Sequence, residues 1–267
     1  MPRVARLSIA PVRSLGLSHP ESIELTPTGV LEDRRFYLID DDGRLVDQLI
    51  AGALVQVHAA TNPEATWLRL TLPDGAVVAG DVELGESVVT SVHGRTATGR
   101  VVGGPFAEAL GPFARWSLRI VRCDQPGGTR LRDGRIRNGI SLVSDGSIRR
   151  LARQLGRETL DGRRFRMLIE VEGARPHEED EWLGREIEIG TAVLAITKPD
   201  GRCAIPTHDP DTGRRDLDTL KGIIDYRGLS EDRKALFGVL GEVAVPGRIS
   251  LGDEVHVRAR RLAEAIA

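Results

Sequence analysis

The sequence predicts a mainly β protein with a few helices, built from two β-barrel-like modules. Short runs in which apolar and polar side chains alternate recur along the chain, separated by Gly, Pro and Asp. Such alternation is typical of strands that bury one face. In contrast, only the stretch 144–156 shows clear helical periodicity. Many short strands with few helices favour barrels or sandwiches over other fold classes.

The N-terminal part of the chain is predicted to be all β. Turn-forming residues flank each of its short alternating segments. Within 39–47, Asp42 and Gly43 stand between two such runs, which is a strong hairpin signal. The predicted strands here are 4–12, 22–27, 35–40, 54–60, 66–72, 87–92 and 96–102.

A joint between two modules is predicted near residue 110. The segment 105–116 can form a short helix, and a new apolar strand follows it at 117–123. We therefore expect one module over 1–110 and a second over 111–267.

The second module carries the one clear helix. Ser144 is a candidate N-cap, apolar residues at 148, 151 and 155 share one face, and Gly156 can end the helix. A shorter helix is predicted at 216–223. The predicted strands are 164–171, 186–190, 192–197, 241–245, 247–252 and 253–259.

Composition excludes several classes of function. The chain has 37 basic and 39 acidic residues and a net charge of −2, so it is expected to bind neither nucleic acid nor, through a basic surface, a membrane. It contains no signal-peptide pattern and no run of 18 apolar residues, which predicts a cytoplasmic protein without membrane insertion. Its two cysteines are too few for a disulfide framework or an iron–sulfur cluster.

Common catalytic signatures are missing. The sequence has no phosphate-binding P-loop, dinucleotide fingerprint, nucleophile elbow or zinc-protease motif. The acidic run 177–182 is interpreted as a solvated face rather than a metal site. The segment 207–213 resembles part of a calcium loop, but its acidic residues lack the required spacing, so a turn is predicted.

The two cysteines differ in setting. Cys203 follows Arg202 in a segment predicted to be a glycine-containing loop after strand 192–197. A neighbouring cation favours the thiolate, which is the nucleophilic and metal-binding form. Cys123 ends an apolar strand and is interpreted as a small, partly buried residue.

Several segments together resemble the MOSC family, named for the C-terminal domain of molybdenum cofactor sulfurases. The likeness is greatest to its two-domain members, such as amidoxime-reducing components and YcbX-type proteins. It spans nearly the whole chain, because the matching segments occur in family order. These segments are 11–16 (PVRSLG), 29–46, 144–147 (SDGS), 163–166 (RRFR, taken as a strand), 178–190, 202–213 and 246–255.

The resemblance implies two β-barrel-type domains that hold molybdopterin-bound molybdenum, with Cys203 as metal ligand and catalytic residue. It also implies reduction of a small N-hydroxylated or N-oxide substrate. A terminal phosphate needs cations, hydroxyls and helix N-terminal amides. The residues at matching positions are Arg13, Ser14, Arg34, Ser144, Ser147, Arg166 and Arg202. No pyridoxal phosphate site is expected, and the electron donor is expected to be a separate protein.

Some positions depart from the family pattern. Met167 and Leu168 stand where Pro and Asn are usual, Leu49 replaces an arginine, and Arg13 replaces a lysine. Arginine and lysine differ in reach and geometry. Two alternatives to the reductase therefore stay open: a sulfur carrier or sulfurtransferase that uses a Cys203 persulfide, and a cofactor carrier without turnover.

Overall fold

The computed structural model describes residues 1–92, 94–125, 131–132, 135–136 and 139–258, and it confirms a mainly β fold with three α-helices. The helices are α1 (Phe106–Leu110), α2 (Asp145–Gln154) and α3 (Thr219–Arg227). The strands are β1 (Arg3–Leu7), β2 (Ser22–Leu25), β3 (Phe36–Ile39), β4 (Leu45–Val46), β5 (His58–Thr61), β6 (Trp67–Thr71), β7 (Val77–Asp81), β8 (Leu84–Val92), β9 (Arg95–Val102), β10 (Arg119–Cys123), β11 (Leu131–Arg132), β12 (Arg135–Ile136), β13 (Ile140–Ser144), β14 (Ile169–Glu172), β15 (Glu186–Ile189), β16 (Ala192–Arg202), β17 (Ala235–Val245), β18 (Gly247–Ser250) and β19 (Val255–Val257).

The larger sheet has seven strands in the order β1-β14-β13-β17-β16-β15-β19. Its neighbours are antiparallel except for β13 and β14, which run parallel. The alternating sequence of β15 buries Ile187 and Ile189 and leaves the intervening glutamates half-exposed, as a strand with one buried face requires. The core on this face includes Leu7, Leu142, Ile169, Leu194 and Val239.

A second core lies between a five-stranded sheet, β4-β3-β10-β9-β8, and the three-stranded sheet β5-β6-β7. Its fully buried side chains include Phe36, Leu68, Leu70, Phe106 and Ile120. Helix α1 contributes Phe106 to this core. The structure thus contains two β modules, as the sequence predicts.

The two parts of the chain, 1–110 and 111–267, contribute strands to each other's sheets. The N-terminal strand β1 pairs with β14 in the larger sheet, and β2 pairs with β18. Conversely, β10 pairs with β3 and β9, although it follows residue 110. The division into 1–110 and 111–267 therefore stays a prediction, while the hydrogen bonds show that both parts of the chain complete each other's sheets.

Three local predictions are confirmed. Strands β3 and β4 form the predicted hairpin, and Gly43 adopts a φ of +78° in its turn, a conformation that glycine adopts without steric cost. Helix α2 begins after Ser144, whose side-chain oxygen accepts a hydrogen bond from the backbone N–H of Ser147. The segment 207–213 is a turn in which Asp209 Oδ1 accepts from the backbone of Asp211 and Thr212.

Three predicted backbone conformations are wrong. The start of the strand predicted at 54–60 is a 3-10 helix at Gly52–Gln56. Residues 163–166 are not a strand, because Asp161 caps a 3-10 helix at Gly162–Phe165 and Arg166 then turns into the left-handed region; the strand β14 begins only at Ile169. The predicted loop before Cys203 is instead the end of β16. Irregular register around Lys198, Pro199 and Gly201 lets the strand continue through the proline, as β-bulges allow.

The helices near the module joint and the C-terminal part also differ in extent. The segment 105–116 forms α1 and then a 3-10 turn at Gly111–Phe113. The helix predicted at 216–223 lies at Thr219–Arg227, after the capping side chain of Asp218. Among the described residues, no helix has the length and apolar character needed to cross a bilayer.

Candidate functional site

Three of the predicted cofactor residues lie in left-handed turns. The angle φ is +75° at Ser14, +53° at Arg34 and +51° at Arg166. For a residue other than glycine this region costs on the order of 1 kcal/mol, and it persists only where the surrounding structure holds it. Strain of this kind concentrates at functional sites. Its occurrence at three predicted cofactor residues marks this region as a candidate functional site.

Hydrogen bonds join the three turns. The Arg34 guanidinium donates to Asp33 Oδ2 at 2.5 Å and to the backbone oxygen of Arg166 at 3.3 Å. Arg166 donates in turn to the backbone oxygen of Leu15 at 2.8 Å. Asp33 also accepts from the backbone N–H of Ala10 at 2.9 Å. The chain segments around residues 13, 34 and 166 therefore meet at one place, which we call the arginine cluster: Arg13, Arg34 and Arg166.

The arginine cluster favours an anion. The pKa of Arg166 is lowered to about 9, first by burial and then by the charges of Arg34 and Arg13, against an opposing effect of Asp33. A guanidinium group releases its proton this readily only where desolvation and neighbouring cations outweigh the nearby carboxylate. A bound dianion would supply the missing negative charge through charge-assisted hydrogen bonds.

A narrow cleft adjoins Arg166; its enclosed volume is about 20 Å³, and about 370 Å³ when the open mouth is included. The side chain of Gln48 lies in its wall, is 5% exposed, and has no hydrogen-bond partner for its amide oxygen among the described residues. A buried polar atom without a partner is costly unless a ligand or water satisfies it. The cleft is lined by Leu17, His19, Gln48, Val55, His58, Arg163, Arg164, Arg166, His208, Pro210 and Asp211.

Cys203 is exposed and follows directly after strand β16. The preceding Arg202 has an 8% exposed side chain that binds Asp200. Its guanidinium also donates to the backbone oxygen of Phe165 at 2.5 Å and to the Met167 sulfur at 3.4 Å. Arg202 thus contacts both neighbours of Arg166, which connects the Cys203 backbone to the arginine cluster.

Ser144 and Ser147 lie elsewhere, in a fully buried network. Both are 0% exposed. The Ser144 hydroxyl donates to Glu179 Oε2, and the Ser147 hydroxyl to Glu179 Oε1, each at 2.7 Å. The structure therefore assigns these hydroxyls to Glu179 and not to an open phosphate site. Glu179 itself corrects the interpretation of 177–182 as a solvated face, because it is 0% exposed at the N-terminus of α2.

His177 extends this network. Its Nδ1 contacts the Arg227 guanidinium, and its Nε2 lies 3.0 Å from the Tyr226 hydroxyl. Burial, and next the charge of Arg227, lowers the pKa of His177 to about 4, against an opposing effect of Asp180. The ring is therefore neutral in the folded protein at pH 7, with Nδ1 accepting from Arg227.

This burial predicts a loss of stability in mild acid. The pKa of His177 in the folded protein lies below the ordinary value near 6.5. The stability that depends on its neutral ring is therefore complete above pH 6.5 and is lost as the pH falls towards 4. His177→Asn should lose less free energy of unfolding between pH 7 and pH 5 than the wild type, because asparagine does not titrate and tolerates the φ of +62°. Urea unfolding at both pH values measures this.

The exposed His256 provides the matched control, since its substitution by asparagine should leave the pH dependence unchanged. An equal loss in wild type and His177→Asn would contradict the role given to His177.

Sequence reasoning did not single out the polar lining of the cleft. Gln48, His19, His58 and His208 are distant in the chain and belong to no motif of fixed spacing. Only the pairing of strands from both modules brings them to one cleft. The available signal was weak: two of these histidines, His19 and His208, fall in or beside the segments that resemble the family.

Comparison with known proteins gives two family matches. The MOSC domain matches residues 99–256, and the MOSC N-terminal beta barrel domain matches residues 1–110. The mitochondrial amidoxime-reducing component 1 of Mus musculus is 28% identical over 95% of this chain and 82% of its own length. The molybdenum cofactor sulfurase of Anopheles gambiae is 28% identical over 83% of this chain.

The chain spans only 32% of that sulfurase. The solved structure of the YUAD protein from Bacillus subtilis aligns over 96% of both chains at 13% identity with a TM-score of 0.47. The two domain matches together cover residues 1–256 in the order that the sequence motifs indicate. The chain belongs to the MOSC-domain family, in the form that also carries the MOSC N-terminal β-barrel domain.

Proposed function

We propose that this protein binds the molybdenum cofactor and reduces N-hydroxylated or N-oxide compounds. The observation that carries the proposal is the arginine cluster, whose desolvated Arg166 lines a cleft and whose chain neighbour Phe165 accepts from Arg202, the residue before Cys203. Its likeness to an amidoxime-reducing component supports the reaction type. A molybdenum-associated role agrees with the likeness to molybdenum cofactor sulfurases.

The residues present fit the cofactor in their donor chemistry. Guanidinium groups suit a phosphate, the orphaned amide of Gln48 can bind a polar ring edge, and an exposed thiol is a soft ligand that suits molybdenum. When bound, the cofactor supplies the two-electron chemistry. Arg13, Ser14, Arg34 and Arg166 would hold the phosphate.

Cys203 would act as the thiolate ligand in this proposal. Arg202 would position the backbone before Cys203 and would not contact the cofactor, because its guanidinium already binds Asp200 and the backbone oxygen of Phe165. The small substrate would enter the cleft between the histidines. The electrons would come from a donor outside these residues, since the two cysteines of this sequence cannot hold an iron–sulfur cluster.

Removing one cation from the arginine cluster should lower cofactor content. In protein made by a host that synthesises the cofactor, Arg34→Ala or Arg166→Ala should weaken binding by about 10- to 100-fold, as expected for a lost hydrogen bond to a charged group. Molybdenum and pterin are measured per folded chain. Arg248→Ala, at an exposed position, is the control. Unchanged occupancy in folded Arg34→Ala and Arg166→Ala proteins would refute the assignment.

Sulfur transfer is the second candidate, and the exposure of Cys203 favours it. A thiol that carries sulfane sulfur must be accessible to both donor and acceptor. Mass spectrometry of protein incubated with a sulfane-sulfur donor separates the candidates. A persulfide on Cys203 without molybdenum in the purified protein would support transfer, whereas molybdenum with amidoxime turnover supports the reductase.

A further inference from the structure

The cleft contains groups that the proposed binding of the cofactor leaves unused. Three of its lining residues are histidines, although the whole sequence has only six. In all three histidines, Nδ1 lies beside a backbone oxygen. The distance is 3.2 Å from His19 to Leu7 O, 3.2 Å from His58 to Leu17 O, and 3.3 Å from His208 to Ala204 O. A carbonyl oxygen can only accept, so each neutral ring carries its proton on Nδ1.

His208 is the histidine nearest to Cys203 along the chain. The two residues flank a single 3-10 turn at Ile205–Thr207, and the His208 ring folds back to the carbonyl of Ala204, the residue after Cys203. Thr207 fixes this geometry: its hydroxyl donates to Ala204 O at 2.6 Å and lies 3.1 Å from His208 Nδ1. Since the Thr207 proton is directed to the carbonyl, the hydroxyl accepts from Nδ1.

We propose that His208 delivers a proton to the substrate oxygen. This rests on the proposed reductase function. Reduction of an N-hydroxylated compound breaks the N–O bond and consumes two electrons and two protons: one proton converts the leaving hydroxyl into water, and the other ends on the nitrogen. An external donor such as a reduced viologen supplies the electrons through the bound cofactor. The proton for the leaving hydroxyl must come from a group in the cleft that exchanges with water.

Three arginines line the cleft; Arg166 is assigned to the phosphate in the proposed function, and the other two are held in ion pairs. Arg163 is paired with Asp161 and Asp211. Arg164 is paired with Asp216 and lies 3.7 Å from Asp209. These paired guanidinium groups stay charged, whereas an imidazole can give a proton from Nε2 and recover it from water near neutrality. Several charged groups lie around His208: the cleft residues Arg163, Arg164, Arg166 and Asp211, the chain neighbour Asp209, Arg215 opposite His208 in an isolated β-bridge, and Asp216, whose backbone N–H donates to Thr207 O.

His208→Gln tests this in protein loaded with cofactor, because its amide can still donate to Ala204. We expect kcat for a simple amidoxime to fall about 100-fold, KM to change less than about 2-fold, and molybdenum content to stay constant. The pH profile of kcat should differ between wild type and variant, because glutamine at position 208 cannot transfer a proton. Added imidazole should restore part of the rate. His256→Gln, at an exposed position, is the control.

A second measurement does not depend on activity. In cofactor-free protein, ¹⁵N NMR of the His208 ring should show a protonated Nδ1 and an unprotonated Nε2 above neutral pH. The opposite tautomer, or an unchanged kcat and pH profile in His208→Gln, would overturn the proposal while the arginine and Cys203 variants still test cofactor binding. Wild-type protein that holds cofactor but reduces no N-hydroxylated compound would overturn both proposals.

Discussion

Cys203→Ser should abolish reduction of a simple amidoxime by an artificial electron donor while the fold remains intact. Serine oxygen is a poor ligand for a metal that prefers soft thiolate. Loss of residues that merely support metal ligands already costs 10- to 100-fold, so turnover should fall to below about one hundredth of the wild type. The thiol is exposed, and its replacement changes little packing. Pterin content should largely survive, because under the proposed function the phosphate is held by the arginine cluster.

Cys123→Ser is the matched control. Cys123 is 2% exposed, and burial raises the pKa of its thiol, which keeps it protonated and inert. The substitution should cost about 1 kcal/mol of unfolding free energy and leave turnover unchanged. Full activity in Cys203→Ser together with loss in Cys123→Ser would mean that the wrong thiol has been assigned.

Glu179→Ala should be among the most destabilising substitutions in the protein. Burial raises the pKa of Glu179, while hydrogen bonds from Ser144 and Ser147 oppose this rise. Removing the carboxylate leaves two fully buried hydroxyls and the backbone N–H of Ser144 without their acceptor and opens a void. We expect a loss of about 3 kcal/mol, measured by urea unfolding at constant m-value.

Glu181→Ala is the comparison. Glu181 lies two residues away with a 63% exposed side chain that binds Arg175, so its loss should change the unfolding free energy by less than about 1 kcal/mol. Glu179→Gln should cost less than Glu179→Ala, because an amide oxygen can still accept from one serine and the buried charge is gone. Equal destabilisation by the two alanine substitutions would show that the buried network is not structural.

Local signals in the sequence were sufficient for some elements and not for others. The Ser144 cap and the Asp42-Gly43 hairpin depend on neighbouring residues only, so both are confirmed. Residues 163–166 alternate as a strand does, but Asp161 caps a tight turn and the tertiary contact from Arg166 to Leu15 holds a left-handed backbone. Such a contact over 151 residues leaves no trace in local periodicity.

The candidate site shows the same difference between what sequence motifs predict and what only the folded structure reveals. The prediction that Arg13, Arg34 and Arg166 act together came from family motifs, and the structure does bring these residues together. The Ser144 and Ser147 hydroxyls also lie in a family-like segment, but Glu179, 35 and 32 residues further along, takes them. The acidic composition of 177–182 led to its interpretation as a solvated face. A sequence pattern does not reveal which carboxylate will accept hydrogen bonds from buried donors.

The exchange of strands between the sheets affects when the site can form during synthesis. Strand β1 must wait for β14, which leaves the ribosome more than 160 residues later, and β10 must return to β3. Pairing at such separations is slow, because loop closure precedes any gain from contact. The segment from Ala10 to Gly16 follows β1, so the arginine cluster closes only once β1 is seated. If the arginine cluster holds a cofactor as proposed, its insertion is expected as a late event, on a nearly complete chain.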